Sequence, residues 1–262
     1  MAAFTLDRII LTSHFLDQPL PGLDALAGPD WTRNRPVPAG SDPMERMVSV
    51  YAPLAEWVRR TVAAGDRPVS IAGDCCSSLG VLAGIQAAGV YPFLIWFDAH
   101  GDFNTPETSP SGFLGGMPLA MLVGRGDQRL VRGLGLQPQP EDRVILSDAR
   151  DLDTLEAEAL RPSRVRHLAS VQDLLRNPLP EGPLYVHFDT DVVTPAEVPA
   201  QNYVAAGGPS SRDVETVFRA LAETGRIVAV SVSTWNPDLD RDGRSRKVSM
   251  KLLKVLQESH PG

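Results

Sequence analysis

Short apolar runs recur along the chain, and most are followed by a segment with helical periodicity. Arg8 to Thr12 reads as a first strand, Pro68 to Ala72 as a second and Pro92 to Asp98 as a third. Arg143 to Ser147, Leu184 to Asp189 and Ile227 to Ser233 are further strands, rich in β-branched residues. Between them, Pro43 to Ala64 places Met47, Val50, Leu54, Trp57, Val58 and Val62 on one side of a helix that stops at Ala64-Gly65. Pro53 lies inside that helix, where it is expected to kink or split it. Ser77 to Ala88, Met117 to Val123, Leu152 to Leu160, Val171 to Leu175, Ser211 to Glu223 and Val248 to Leu256 are the other helices. The segment from Asp17 to Pro43 carries many prolines and glycines and reads as a long surface loop bordering the mouth of a site. Strands alternating with helices specify an α/β protein with a mostly parallel sheet covered on both faces. Neither a repeat nor a dividing linker appears, so residues 1–262 read as one domain.

Composition narrows the function. The chain has 262 residues, 43% hydrophobic and 22% charged, which suits a globular protein. A net charge of -7 without a basic block argues against a nucleic-acid surface. Asp7 and Arg8 interrupt the apolar N-terminus, so no signal peptide is expected, and no window approaches the roughly 20 apolar residues of a membrane span. Only Cys75 and Cys76 are present, adjacent in sequence, and a reducing cytoplasm is the expected location.

The chemistry gathers at three strand ends. The run Phe93 to Phe97 delivers Asp98, His100 and Asp102 where the strand stops, the edge at which open parallel sheets bind ligands. Carboxylates with an imidazole suit a divalent metal such as Mn, Zn, Fe or Co. Leu184 to Asp191 repeats the device with Asp189 and Asp191. The third end, Gly73-Asp74-Cys75-Cys76, leads directly into a helix. Each acidic end alone fits a turn or a cap. Together, four carboxylates on one edge repel one another unless cations hold them, and they supply enough ligand for two metal ions. His187 falls on the same face as Asp189 but deeper, as a core histidine or one supporting the ligands. His14 follows the first strand and is expected to be solvated. His167 and His260 have no visible partner. Asp74 reads as a carboxylate that orients ligands.

These motifs resemble those of the arginase-type ureohydrolases, the family of arginase, agmatinase and their relatives. DAHGDFNTPETSPSGFLGGMPLA is similar to that family's central signature, and HFDTDVVTPAEVP with Gly207-Gly208 to its second. SIAGDCCSS is similar to its first signature and SVSTWNPDLD to its late strand ending in Asn-Pro, so the likeness spans roughly residues 68 to 240 in matching order. The resemblance implies a three-layer α/β/α fold with about eight strands, a binuclear centre, usually of manganese, and a homo-oligomer. It also implies that Asp98 and Asp189 bridge the metals, that Asp102 completes one site, and that His100 with Asp191 completes the other. Two divalent ions offset four carboxylates, and water bridging them loses a proton near neutral pH to become the nucleophile. Hydroxide then attacks a guanidino or amidino carbon of a small molecule, while Asp102 passes the proton to the leaving amine.

The chain departs from the family at three places. Cys75 stands where the family has a metal-binding histidine, as in members that process hydroxyarginine. Read as a ligand, its thiolate completes the Asp102 site, its acidity raised by a helix N-terminus and a cation, and tilts that site toward Zn, Fe or Co. Read otherwise, it is a small buried residue. Asn104 and Ser111 are retained among the substrate groups, but Phe113 and Gly115 replace residues that hold the amino-acid end and shuttle protons. Thr234 stands where the family has a glutamate for the guanidinium, which argues for a less cationic substrate such as an N-hydroxyguanidine or a formimino group. Trp235, Tyr203 and Phe113 are expected to line an apolar pocket, or to be ordinary core. Two alternatives stay open: an amide or acyl hydrolase on the same fold, and a non-catalytic relative.

Overall fold

The computed structural model describes residues 6–258. In chain order its strands are β1 (Asp7–Thr12), β2 (His14–Phe15), β3 (Gln18–Pro19), β4 (Thr32–Asn34), β5 (Arg67–Ala72), β6 (Phe93–His100), β7 (Val144–Asp151), β8 (Arg166–Leu168), β9 (Leu184–Asp189) and β10 (Ile227–Ser233). The helices are α1 (Pro43–Ala63), α2 (Ser77–Ala87), α3 (Pro118–Leu122), α4 (Arg129–Gly133), α5 (Thr154–Leu160), α6 (Asp173–Arg176), α7 (Ser211–Glu223) and α8 (Arg244–Gln257). Eight strands form one sheet in the order β4-β1-β5-β10-β9-β6-β7-β8, and every pairing within it is parallel. β2 and β3 make a small hairpin apart from it.

Strand alternation sorts the interior into two layers. Leu94, Trp96 and Tyr185 face one way and pack with Met47, Tyr51 and Leu54 of α1 and Leu79, Leu82 and Ile85 of α2. Ile95, Phe97, Val186 and Phe188 face the other way, against Val214, Val217 and Phe218 of α7 and Leu252 and Leu256 of α8. Helices on both faces of an all-parallel sheet give the expected three-layer α/β/α architecture. Among the described residues, no helix is long and apolar enough to cross a membrane.

The differences from the sequence expectations have local causes. α1 runs unbroken through Pro53, because a buried stripe from Met47 to Val58 ties both halves to the sheet. The Asp17–Pro43 segment is not one loop: it contains β3, a 3-10 turn over Pro21–Leu26 and the edge strand β4. β4 and β8 are three residues each and α4 is five, too short to show a period. α8 starts four residues before the apolar pattern, where Asp240 accepts from the backbone N–H groups of Ser245 and Arg246 and holds the first turn.

After β5 the chain skips the places that β10 and β9 later fill and returns as β6. The C-terminal ends of β5, β9 and β6 thereby surround one crevice beside this switch in strand order.

Candidate metal centre

β6 ends in Phe97-Asp98-Ala99-His100, and its pairing with β7 shifts register between Asp98 and His100. Alternation puts Asp98 on the same face as Trp96, whose Nε1 donates to Asp98 Oδ2 at 3.0 Å. Asp98 Oδ1 accepts from the His100 backbone N–H at 2.7 Å and lies 3.5 Å from His100 Nδ1. Cys75 Sγ lies 3.8 Å from Asp98 Oδ2. The two oxygens of Asp98 thus face two different donor groups, Cys75 on one side and His100 on the other.

Asp189 repeats the arrangement from β9. Its Oδ1 accepts from the Asp191 N–H at 2.8 Å, and its Oδ2 accepts from the Cys75 thiol at 2.9 Å. Asp191 Oδ2 lies 2.9 Å from His100 Nδ1, and Asp191 Oδ1 accepts from the Ala99 N–H at 3.0 Å. Asp102 arrives on a turn in left-handed backbone, with φ 50°, and its buried Oδ2 has no hydrogen-bond partner among the described residues. Gly101 precedes it because a Cβ there would meet Leu152 and Glu156.

These groups form the floor of a cavity of about 470 Å³. Burial, then the charge of Asp191, pushes the Asp189 carboxyl up to about 7. Burial and the charge of Asp189 raise Asp98, and burial with Asp98 raises Asp102 further. Burial alone would lower His100, but its hydrogen bonds to Asp191 and Asp98 carry it up to about 12. Crowded carboxylates that hold protons are what a cation site looks like to a proton. Burial and then Asp189 also push the Cys75 thiol well up, so the start of α2 does not lower it as expected; a cation between the carboxylates would reverse that balance. Asp98, His100 and Asp191 bring three donor atoms within 4.8 Å of one another, and so do Cys75, Asp98 and His187.

The supporting residues are fixed by the fold. Asp74 is buried, accepts from the Leu16 and Cys76 N–H groups and from the Tyr51 hydroxyl, and braces the Cys75 turn. Burial raises its carboxyl to about 6. Arg150 donates to the Asp148 carboxylate and to the carbonyls of Asp191, Val192 and Ala206, clamping β7 to the segment that carries Asp191. His187 is fully buried, its ring 3.8 Å from Trp96, with Nε2 3.3 Å from Cys75 Sγ. Burial pushes it down to about 3.

All five substrate-binding candidates line the cavity. Asn104 spends its side chain on Asp153 and Thr108, and Ser111 Oγ accepts from the Phe113 N–H. Thr234 presents a buried hydroxyl with no partner among the described residues. Phe113 packs 4.9 Å from Tyr203 and 6.1 Å from Phe15, forming an aromatic rim. Tyr203 is 52% exposed, whereas Trp235 is 2% exposed and does not line the cavity. Phe113 also folds over Gly115, where any Cβ would strike its ring, so the two departures from the family form one feature.

Other expectations need correction. His14 is buried rather than solvated, because its hairpin folds against the chain after β5; Gly73 donates to its carbonyl, and neither ring nitrogen has a partner among the described residues. Phe15 reaches the cavity, but the Asp17–Pro43 segment does not line it. His167 Nε2 lies 2.8 Å from the Asp148 carbonyl, and His260 falls outside the described residues. Asp151, Asp153 and Glu156, which the sequence pattern does not single out, form an acidic wall. β7 continues past Ser147 to Asp151, and that acidic carboxyl end is the signal that points to them.

The Arginase family sequence model matches residues 31–257. The chain belongs to the arginase family. It is 29% identical over 254 residues to an N(omega)-hydroxy-L-arginine amidinohydrolase of Streptomyces lavendulae, covering 95% of this chain and 85% of that one. To an arginase of Bacillus subtilis it is 32% identical over 216 residues, 78% of this chain and 73% of the relative. The solved arginase of Entamoeba histolytica superposes with a TM-score of 0.83 at 21% identity, covering 98% of this chain and 99% of that one. That of Bacillus cereus gives 0.80 at 24% identity, covering 98% and 99%. At such identities the superpositions speak for the fold.

Proposed function

We propose that this arginase-family protein hydrolyses a C–N bond of a small guanidino or amidino compound at a centre of two divalent cations. Cys75, Asp98, Asp102 and Asp189 would hold one cation, and Asp98, His100, Asp189 and Asp191 the other. The observation that carries this reading is the division of Asp98, with Oδ2 toward Cys75 and Oδ1 toward His100, as a carboxylate shared by two sites requires. The unpartnered Asp102 Oδ2 and the crowded, proton-holding carboxylates fit cations in the same place. When bound, the ions supply Lewis acidity and an activated water.

The chain's own residues do the rest. The Asp102 carboxylate, through the oxygen turned away from the cation, takes up a proton at the cavity floor and returns it to the departing amine. Thr234 offers a neutral hydroxyl to the reacting group, where a carboxylate would select a full guanidinium. The acidic wall of Asp151 and Asp153 faces the far end of the substrate and favours a cationic group there. Phe15, Phe113 and Tyr203 cover the mouth and limit water. Manganese is the family expectation, while a thiolate draws the Cys75 site toward zinc, iron or cobalt. The likeness to the Streptomyces lavendulae amidinohydrolase favours an N-hydroxyguanidine over a guanidine.

The test is a comparison of hydroxyurea and urea release from N-hydroxyarginine and arginine with Mn, Zn, Fe or Co supplied. Faster release from the hydroxylated compound supports the proposal. Turnover of simple amides with neither guanidine cleaved would favour an amide hydrolase, and no turnover of any of these would favour a non-catalytic relative.

A further inference from the structure

A chain of buried polar groups runs from the centre into the sheet. Tyr185 Oη lies 2.6 Å from Ser231 Oγ, Ser231 Oγ lies 2.7 Å from His187 Nδ1, and His187 Nε2 lies 3.3 Å from Cys75 Sγ. All four residues are buried.

The hydrogens along this chain can be assigned in order. A thiol has one hydrogen, and that of Cys75 points to Asp189 Oδ2 at 2.9 Å. As the thiolate that would bind a cation, Cys75 has no hydrogen to give, so the one between Cys75 and His187 comes from Nε2. His187 is fully buried and, among the described residues, no carboxylate hydrogen-bonds its ring, so it is neutral and Nδ1 is left as an acceptor. Ser231 then donates to Nδ1, and Tyr185 donates to Ser231 in turn. Among the described residues Tyr185 has one other acceptor, the Ser78 carbonyl at 3.4 Å, which is too far to compete with 2.6 Å.

We propose that His187 is a positioning residue for the centre: held by Ser231 and Tyr185, it donates its Nε2 hydrogen to Cys75 and keeps the sulfur aimed at the cation. This rests on Cys75 as a ligand. A metal ligand is commonly fixed and tuned by such a partner, although the usual pair is a histidine backed by a carboxylate. Here the ligand is the sulfur and the partner is the imidazole. The donated hydrogen draws charge from the thiolate, and so offsets part of the negative charge that a sulfur adds where an imidazole would add none. Trp96, packed against the ring at a 32° tilt and bonded to Asp98, restricts the plane in which His187 points.

The test loads the full-length protein with Co(II) and follows the thiolate-to-cobalt charge-transfer band in the near ultraviolet, with metal content and cobalt affinity. His187→Leu fills the space without a donor. His187→Gln restores an N–H near the Nε2 position. Ser231→Ala leaves the ring but removes the hydrogen that keeps Nδ1 an acceptor. Loss of a hydrogen bond to sulfur raises the energy of its lone pairs, so the band should move to longer wavelength in His187→Leu and less far in Ser231→Ala. Cobalt affinity should fall by about 10-fold or more in His187→Leu. His187→Gln should return the band toward its wild-type position. If His187→Leu does not fold, Ser231→Ala is nearly isosteric and reads the same shift.

A band that stays in place in both Ser231→Ala and His187→Leu overturns the proposal. So does loss of one cation in both His187→Leu and His187→Gln, which would make the imidazole itself a ligand. Absence of the band from the loaded wild type would remove Cys75 as a ligand and overturn the underlying assignment with it. A present but unmoved band overturns only the role of His187.

Discussion

Cys75 Sγ lies 2.9 Å from Asp189 Oδ2, although the two residues leave the sheet from strands separated by β10. In the proposed centre, that contact joins the one soft donor to a carboxylate placed between it and Asp191. It would make the Cys75 side more negative and softer than an imidazole would, and more dependent on a cation.

The metal-free protein should lose stability as pH rises from acid toward neutral. The Asp189 carboxyl moves from an ordinary 3.8 to about 7 on folding, so between those values the folded chain holds a proton that the unfolded chain releases. His100, raised from 6.5 to about 12, acts in the same direction at higher pH: its stabilisation is full below 6.5 and is lost as pH rises toward 12. Cations replace these protons. Adding Mn(II) should therefore raise the thermal midpoint more at pH 8 than at pH 5, with protons released into a weak buffer. An equal rise at both pH values would contradict the assignment.

Thr234→Glu should redirect the cavity toward arginine. A carboxylate beside the reacting group adds a charge-assisted hydrogen bond worth about 1.5–3 kcal/mol, or roughly tenfold to hundredfold in the ratio of kcat/KM for arginine over N-hydroxyarginine. Paired kinetics on the two compounds measure it. An unchanged ratio would place the substrate elsewhere in the cavity.

Gly115→Ala should act through Phe113. The new methyl group drives the ring off its seat against Phe15 and Tyr203, so KM should rise while kcat changes little. Phe113→Ala in the same background should add little further, because the ring is already displaced. Fully additive effects of the two substitutions would break the link.

Arg150→Met should weaken the centre without touching it. The substitution strands the buried Asp148 carboxylate and frees the carbonyls of Asp191, Val192 and Ala206. Breaking a buried pair in this way costs roughly 3–5 kcal/mol. Arg150→Lys should recover only part of it, since an ammonium cannot span all of these acceptors. Urea denaturation of the metal-loaded protein gives the comparison.

Much of this was legible in the sequence because strands and carboxyl ends are local signals. β9, α7 and β10 end where their apolar patterns end, and Asp98, His100, Asp189 and Asp191 follow from the rule that parallel sheets present ligands at that edge. What could not be read depends on contacts between distant segments. β4 exists only because β1 pairs with it, and its three residues carry no period of their own. The burial of His14, the withdrawal of Trp235 into the core and the closure of Phe113 over Gly115 are packing outcomes. The partnership of His187 with Cys75 joins positions 112 residues apart. The same-face rule placed the histidine below the site, and only the three-dimensional structure brings its nitrogen to the sulfur.

The most direct measurement is metal content per chain, by elemental analysis of the wild type and of Cys75→Ala after supply of Mn, Zn, Fe or Co. The account predicts about two cations in the wild type and about one in Cys75→Ala, because the Cys75 site loses its fourth ligand while the His100 site keeps all of its own. A wild type that retains no cation, or a Cys75→Ala protein that binds as many as the wild type with equal affinity, would contradict it.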